Sequence, residues 1–227
     1  MSFLPFRIKS IHQETSDTKS FVLESTARLE YMPGQFLTVI HPGAQNEVRR
    51  QYSFSSHPVL DKYPVITVKR IANGEVSRWL FDIAKEGDEI QTLGASGRFT
   101  LSKKVEATVT IIFLAAGSGI TPIYSLMRDV LHFHQHIKVI LIYSNHSERS
   151  TIFLSELQQL QKQFSEQLTI EFLFSNNRNL MRARLGKTVL EDLLRIYAPW
   201  PAKTIAYVCG PLDYLKMSHM TIHAQGL

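Results

Sequence analysis

A chain of 227 residues, 44% hydrophobic and 20% charged, is long enough for one large or two modest cores and reads as a soluble globular protein. Its single cysteine excludes an internal disulfide framework and a self-contained cysteine-ligated iron–sulfur cluster, which needs four thiolates, and it fits a reducing compartment. The net charge of +5 comes from scattered Lys and Arg residues, and no basic run with interleaved aromatics marks a nucleic-acid surface.

The start, Met1-Ser2-Phe3-Leu4-Pro5-Phe6-Arg7, has no basic stretch leading into an apolar core. No apolar run approaches the ~20 residues of a membrane span, so neither a signal peptide nor a transmembrane helix is expected, and the expected location is cytoplasmic. Short alternating segments follow at 6–11, 21–23, 36–40 and 65–69, separated by Pro, Gly and Asn turns, and predict a small antiparallel barrel. Within it, Arg50-Gln51-Tyr52-Ser53-Phe54-Ser55-Ser56 reads as a strand leaving a turn, with Arg50, Tyr52 and Phe54 on one face and Gln51, Ser53 and Ser55 on the other. Arg suits a phosphate, Tyr offers a flat face with a polar tip, and Ser donates to a ring nitrogen. Phosphate, flat ring and ring nitrogen together describe a flavin nucleotide. The same letters in isolation also suit a plain amphipathic strand ending in a Ser-rich turn. One short helix is expected over 77–84, with Leu80, Ile83 and Ala84 on one face and Ser77 as its N-cap after Gly74.

Past Lys103-Lys104 the rhythm changes to strand then helix, repeated. Strands are expected at 109–115, 137–143, 168–174 and 204–208, and helices at 122–132, 151–164, 188–197 and 212–219, which predicts a parallel sheet covered on both faces. Domains of 1–103 and 104–227 follow. The apolar run Ile111–Ala116 breaks into Gly117-Ser118-Gly119-Ile120-Thr121-Pro122. There Gly117 and Gly119 admit a close ligand, Thr121 serves as N-cap, and Pro122 takes the first helical position. The helix N-terminus then faces a pyrophosphate. Pro122 stands where the usual dinucleotide fingerprint has its third glycine. Cys209 ends the last strand before Gly210-Pro211, at the sheet end where open α/β folds bind ligands; a free Cys there also packs well as a small hydrophobe.

In order, Pro33-Gly34-Gln35-Phe36, Arg50-x-Tyr52-Ser53, Gly74-Glu75-Val76-Ser77, Gly94-Ala95-Ser96-Gly97-Arg98-Phe99, Gly117-x-Gly119-x-x-Pro122 and Cys209-Gly210-Pro211 resemble the landmarks of the ferredoxin–NADP reductase superfamily. The family often has Pro at the position of Ala95. The resemblance covers nearly the whole chain and is nearest to the reductase components of bacterial oxygenases, of the phenylacetate-degradation and phenol hydroxylase type. It implies an FAD-binding barrel followed by a nicotinamide-binding domain. Hydride would pass from NAD(P)H to FAD, and electrons to a separate ferredoxin-like or oxygenase acceptor. It implies that Arg50 contacts the flavin phosphate, with the helix start at Gly74, Val76 and Ser77. Tyr52 would lie on the isoalloxazine and Ser53 near its hydride-accepting atom, while backbone groups of Val68 and Lys69 hold the flavin edge. Cys209 would sit beside the nicotinamide carbon. A mildly basic surface facing an acidic redox partner accounts for the net charge.

An NAD site usually has an acid at the end of the second strand for the ribose hydroxyls. Here Tyr143-Ser144-Asn145-His146-Ser147-Glu148-Arg149 has none before Glu148, while Ser144, His146, Ser147 and Arg149 suit a phosphate, so NADPH is expected over NADH. Arg178, Arg182 and Arg184 add cations after the third strand, and many relatives carry Arg in place of His146. His132, His134 and His136 lack thiolate or clustered carboxylate partners and read as a polar helix end, so no metal is expected. The resemblance also leads one to expect a further strand after Gly226, and often a cluster domain; the chain reads as lacking both, or as a section of a longer reductase. A non-catalytic binding or assembly module is the competing reading.

Overall fold

Six strands of the N-terminal half form one antiparallel sheet in a computed structural model that describes residues 3–25, 29–43, 46–179 and 183–227. They are β1 (Leu4–Thr15), β2 (Thr18–Glu24), β3 (Phe36–Pro42), β4 (Glu47–Ser53), β5 (Val65–Lys69) and β6 (Glu89–Ser96), in the order β4-β3-β6-β1-β2-β5. Alternation along the strands sends Phe6, Ile8, Phe21, Leu23, Leu37, Val39, Ile66, Val68 and Ile90 into one core. Each such side chain contributes roughly 1.5–3 kcal/mol on burial.

The sheet's two edges join. Phe54, just past β4, bridges Ile66 of β5, the Ser55 N–H donates to the Val65 carbonyl at 2.9 Å, and the Val65 N–H donates to Ser56 Oγ at 2.8 Å. This closure makes the expected barrel. It also corrects the strand expected through Ser56: regular pairing stops at Ser53, and the Ser-rich tail is the closing latch. β6 lay outside the predicted strands because Ile90 is its only large apolar residue ahead of Thr92, Leu93 and Gly94.

The short helix departs from expectation as well. α1 (Glu75–Arg78) starts at Glu75 with Gly74 as N-cap, and a π turn over Trp79–Ile83 follows, closed by the Ala84 N–H on the Trp79 carbonyl at 3.0 Å. The wider winding leaves Leu80 and Ala84 in the core and turns Ile83 outward to 62% exposure, so the three do not share a face.

In the C-terminal half β7 (Thr110–Ala116), β8 (Lys138–Asn145), β9 (Leu168–Phe174) and β10 (Thr204–Cys209) are parallel, in the order β10-β7-β8-β9. Helices α2 (Ile120–Phe133), α3 (Leu154–Gln163), α4 (Lys187–Tyr197) and α5 (Leu212–Ala224) alternate with them. The path steps outward from β7 to β9, then returns to the far side of β7. With right-handed crossovers this places α2 and α3 on one face and α4 on the other. On the latter face Ile112, Leu114, Ile140 and Ile142 pack with Leu190 and Leu194 of α4 and Ile222 of α5. The reversal between β7 and β10 is a switch point, and Gly117 and Cys209 lie at its carboxyl end. Backbone packing divides the chain into two units: Met1–Leu101 with Tyr124–Leu126, and Ser102–Ile123 with Met127–Leu227.

Candidate functional site

β4 hydrogen-bonds to one neighbour only, β3, with Arg50, Tyr52 and Ser53 opposite Val39, Leu37 and Phe36. Hydrogen bonding separates the residues of this segment. Ser55 Oγ accepts from Thr67 Oγ1 at 2.9 Å, and Ser56 Oγ lies 2.7 Å from the Tyr31 hydroxyl while accepting from Val65. The hydroxyls of Tyr52 and Ser53, by contrast, hydrogen-bond to nothing among the described residues. Two adjacent arginines divide in the same way. Arg49 Nε donates to Glu47 at 2.6 Å, whereas Arg50 is exposed, engages one Nη1 on the Arg49 carbonyl at 2.8 Å and pairs with no described carboxylate. The Tyr52 ring is partly buried. That burial pushes its phenol up to about 12 against the opposing pull of the Arg50 charge, so Tyr52 is a neutral donor with one flat face.

The second barrel group contributes backbone. Val68 and Val76 are fully buried, and Lys69 Nζ pairs with Asp17 at 3.3 Å. β5 is the sheet's other edge, and among the described residues it is bridged only at Ile66, so the main chain of Val68 and Lys69 beyond it faces no described strand on that side. Ser77 is not the N-cap but the third helical residue. Its hydroxyl donates to the Gly74 carbonyl at 3.2 Å and accepts from the Ile71 N–H at 3.3 Å. It occupies the space a Gly74 Cβ would need, at 2.3 Å, which is why glycine stands there. The first backbone bond of the winding is from Arg78 to Gly74, leaving the N–H groups of Glu75, Val76 and Ser77 without helical acceptors.

At the switch point of the second unit a 3-10 turn over Gly117–Gly119 runs straight into α2. Gly119 is therefore the N-cap, and Thr121 and Pro122 lie inside the first turn, not at the cap and first position expected for them. Pro122 has no N–H for the Ser118 carbonyl four residues back, and the Thr121 hydroxyl donates to it instead at 3.0 Å. The two glycines differ from each other. A Cβ on Gly119 would meet the Cys209 carbonyl oxygen at 2.2 Å, so this glycine serves the contact between the two motifs. Gly117 has φ 53° with nothing within 4 Å of a Cβ, leaving open space at its side.

Cys209 pairs with Ala115 across β10 and β7 and is half-buried as a free thiol. Burial pushes its thiol up, which favours the protonated form. Gly210 lets the Tyr214 ring approach, its Cδ1 3.0 Å from where a Cβ would be, and Pro211 caps α5. Ser144 Oγ and Asn145 Nδ2, at the carboxyl end of β8, are buried without a well-formed hydrogen bond among the described residues. Each lies beside a phenol, but the Tyr214 hydroxyl donates to the Ala115 carbonyl at 3.2 Å and the Tyr143 hydroxyl to Gly117 at 3.0 Å. Buried orphan atoms beside an open glycine suit a polar, phosphate-bearing ligand.

Of the other expected phosphate contacts, Ser147 is engaged in a capping box with Ser150, and His146 Nδ1 lies 3.0 Å from Ser175 Oγ. Arg149, Arg178 and Arg184 are exposed, and Arg182 lies outside the described residues. Asn145 and Tyr214 were not among the expected site residues. Their signals, an amide ending a strand and a tyrosine one turn past Gly210-Pro211, are weak without the packing that unites them.

The description "Oxidoreductase FAD-binding domain" matches residues 5–101, and "Oxidoreductase NAD-binding domain" matches 113–220. The chain is 32% identical over 225 residues to the ferredoxin reductase component of 3-ketosteroid-9-alpha-monooxygenase from Rhodococcus rhodochrous, covering 97% of this chain and 61% of that one. It is 26% identical to the glycine betaine monooxygenase reductase subunit of Pseudomonas aeruginosa, covering 97% and 60%. The chain thus spans about three fifths of the length of these relatives. Its fold superposes on the CS-b5R domains of human Ncb5or with a TM-score of 0.88 at 24% identity, covering 100% of this chain and 67% of that one.

Proposed function

We propose that this chain, whose two parts match FAD-binding and NAD-binding oxidoreductase domains, is a member of the ferredoxin–NADP reductase superfamily that takes hydride from NAD(P)H onto FAD and passes electrons to a separate ferredoxin-like or oxygenase acceptor. The relatives' names describe reductase components of oxygenases, and the acceptor class is carried over from them. The observation that carries the reading is on β4: Arg50, Tyr52 and Ser53 keep unengaged donors in a segment whose neighbouring hydroxyls and charges are all occupied. FAD, when bound, supplies the chemistry that accepts a hydride and releases electrons one at a time.

In this reading residues 1–103 hold the flavin and 104–227 the nicotinamide nucleotide. Arg50 and the free N–H groups of Glu75, Val76 and Ser77 neutralise and orient the flavin pyrophosphate. The Tyr52 face flattens and orients the ring, and Ser53 Oγ presents its proton to a ring nitrogen. Main-chain groups of Val68 and Lys69 hold the ring's edge. Open space at Gly117 and the first turn of α2, with Gly119, Thr121 and Pro122, receive the nucleotide's phosphates. Ser144 contacts its ribose. Cys209, backed by Gly210 and Pro211, orients the nicotinamide and keeps water from it. Arg149, in the turn that follows β8 and without a partner among the described residues, favours NADPH over NADH. No helix of the described residues is long and apolar enough to cross a membrane, and a cytoplasmic site of action accords with that.

Two measurements test the function. The purified protein should carry or take up FAD, with a flavin visible spectrum. Anaerobic NADPH should then bleach it, and an added one-electron acceptor such as ferricyanide should restore the colour much faster than oxygen does. A protein that FAD titration cannot turn yellow overturns the reading in favour of a binding module.

A further inference from the structure

Between β8 and α3 lies Phe153, the only non-glycine residue with a positive φ among the described residues, at φ 61° and ψ 28°. A left-handed backbone at a bulky aromatic is strained, and such strain persists only where the surroundings over-determine it. Here they do. Phe153 is 6% exposed, Ile152 beside it is fully buried, and the Phe153 carbonyl opens α3 by accepting from Leu157 N–H at 2.8 Å. Just ahead, Ser147 and Ser150 cap each other across the turn Glu148–Ser150. The Thr151 N–H closes that turn on the Glu148 carbonyl at 3.0 Å, and Thr151 Oγ1 donates to the Ser147 carbonyl at 2.9 Å. At the centre of this tied-down turn stands Arg149, exposed and without an ion pair or hydrogen bond to the described residues.

We propose that Phe153 is a positioning residue for nucleotide choice: its buried, left-handed anchorage holds the turn that presents Arg149 to a phosphate on the adenosine ribose. This rests on the reading that the nicotinamide nucleotide binds at the carboxyl end of β8. A cation on a loose loop must surrender loop freedom when it grips a phosphate; one on a fixed turn has already done so. Only the 2′-phosphorylated nucleotide touches Arg149, so loosening the turn weakens NADPH and spares NADH.

The test uses the full chain with FAD and steady-state turnover of each nucleotide, with ferricyanide as the acceptor that reoxidises the flavin. Phe153→Ala should raise KM for NADPH about tenfold, the scale of one weakened charge-assisted contact, with kcat held and KM for NADH within about twofold. Phe153→Leu, which keeps an apolar anchor, should recover most of the loss. Phe153→Ala combined with Arg149→Ala should be no worse for NADPH than Arg149→Ala alone. Equal KM changes for both nucleotides, a fall in kcat alone, or additive losses in the double variant would overturn the inference. Should Phe153→Ala lose its FAD spectrum or cooperative melt, Phe153→Gly, which keeps the left-handed backbone without strain but removes the anchoring ring, answers by the same KM ratio. A wild type indifferent to the nucleotide overturns the underlying reading. A wild type that prefers NADPH, with variants that keep the preference, overturns this inference alone.

Discussion

In the barrel, the residues from Arg50 to Ser56 divide by hydrogen bonding: Ser55 and Ser56 latch the sheet shut, while the hydroxyls of Tyr52 and Ser53 are unengaged among the described residues. In the parallel-sheet unit the glycines divide by space: Gly119 and Gly210 exist for contacts with Cys209, Ala116 and Tyr214, while Gly117 faces an opening. The barrel presents side chains from a strand whose backbone is secured elsewhere. The second unit presents backbone, and its close-packed turns are at once scaffold and site. Substitutions at the proposed contacts should therefore remove cofactor without unfolding the barrel, whereas in the second unit stability and binding are entangled.

The largest effect that would test this contrast is Gly119→Val. The first added carbon falls 2.2 Å from the Cys209 carbonyl oxygen, and backbone cannot swing aside. We expect a loss of about 3 kcal/mol or more, read by urea unfolding, whereas Gly117→Ala, with strain but no clash, should lose only about 1 kcal/mol. Equal losses would break the distinction between the two glycines. Next, Arg50→Ala should weaken FAD binding by roughly 2–4 kcal/mol while the unfolding transition of the FAD-free protein stays within about 0.5 kcal/mol, because the exposed guanidinium makes no described ion pair. Full FAD retention would remove Arg50 from the site.

A third comparison concerns rate. Cys209→Ala should leave FAD content unchanged and slow flavin reduction in stopped flow by up to about a hundredfold, the scale of a small misplacement of reacting atoms. An unchanged rate returns Cys209 to a packing role. The smallest effect concerns pH. Tyr52 stays protonated in the fold up to about 12 but ionises near 10.0 once unfolded. Its contribution is complete below pH 10 and is lost as pH rises through that window to about 12. Comparing stability at about pH 9 and about pH 11, Tyr52→Phe should lose less than the wild type does. Identical losses would mean the phenol is as solvated in the fold as out of it.

Much of this was legible in the sequence. Period-two and strand–helix alternation gave the barrel and the parallel sheet, because burial of one face is encoded residue by residue. β9 (Leu168–Phe174) and β5 (Val65–Lys69) were bounded correctly by runs of apolar and β-branched residues. β6 was missed because its burial depends on neighbours and not on its own hydrophobicity. The helix starts at Ser77 and Thr121 were misplaced for a related reason. A Ser or Thr near a helix start is a good cap in isolation, but Gly74 and Gly119 took the cap, and both hydroxyls turned back to nearby carbonyls.

Sequence by itself determined which residue types are present in which order: a cation, a phenol and a serine on one strand, glycines at a strand end, one cysteine beside a glycine. Local chemistry fixes those preferences, so they survive without knowledge of the fold. Only the tertiary structure decided which of them are already occupied. Ser53 differs from Ser55, Arg50 from Arg49, and Gly117 from Gly119 only through partners distant in sequence, such as Thr67, Cys209 or a bridge from Phe54 to Ile66. Hydrogen-bond satisfaction and close packing are properties of the neighbourhood, and no single stretch of chain carries its neighbourhood with it.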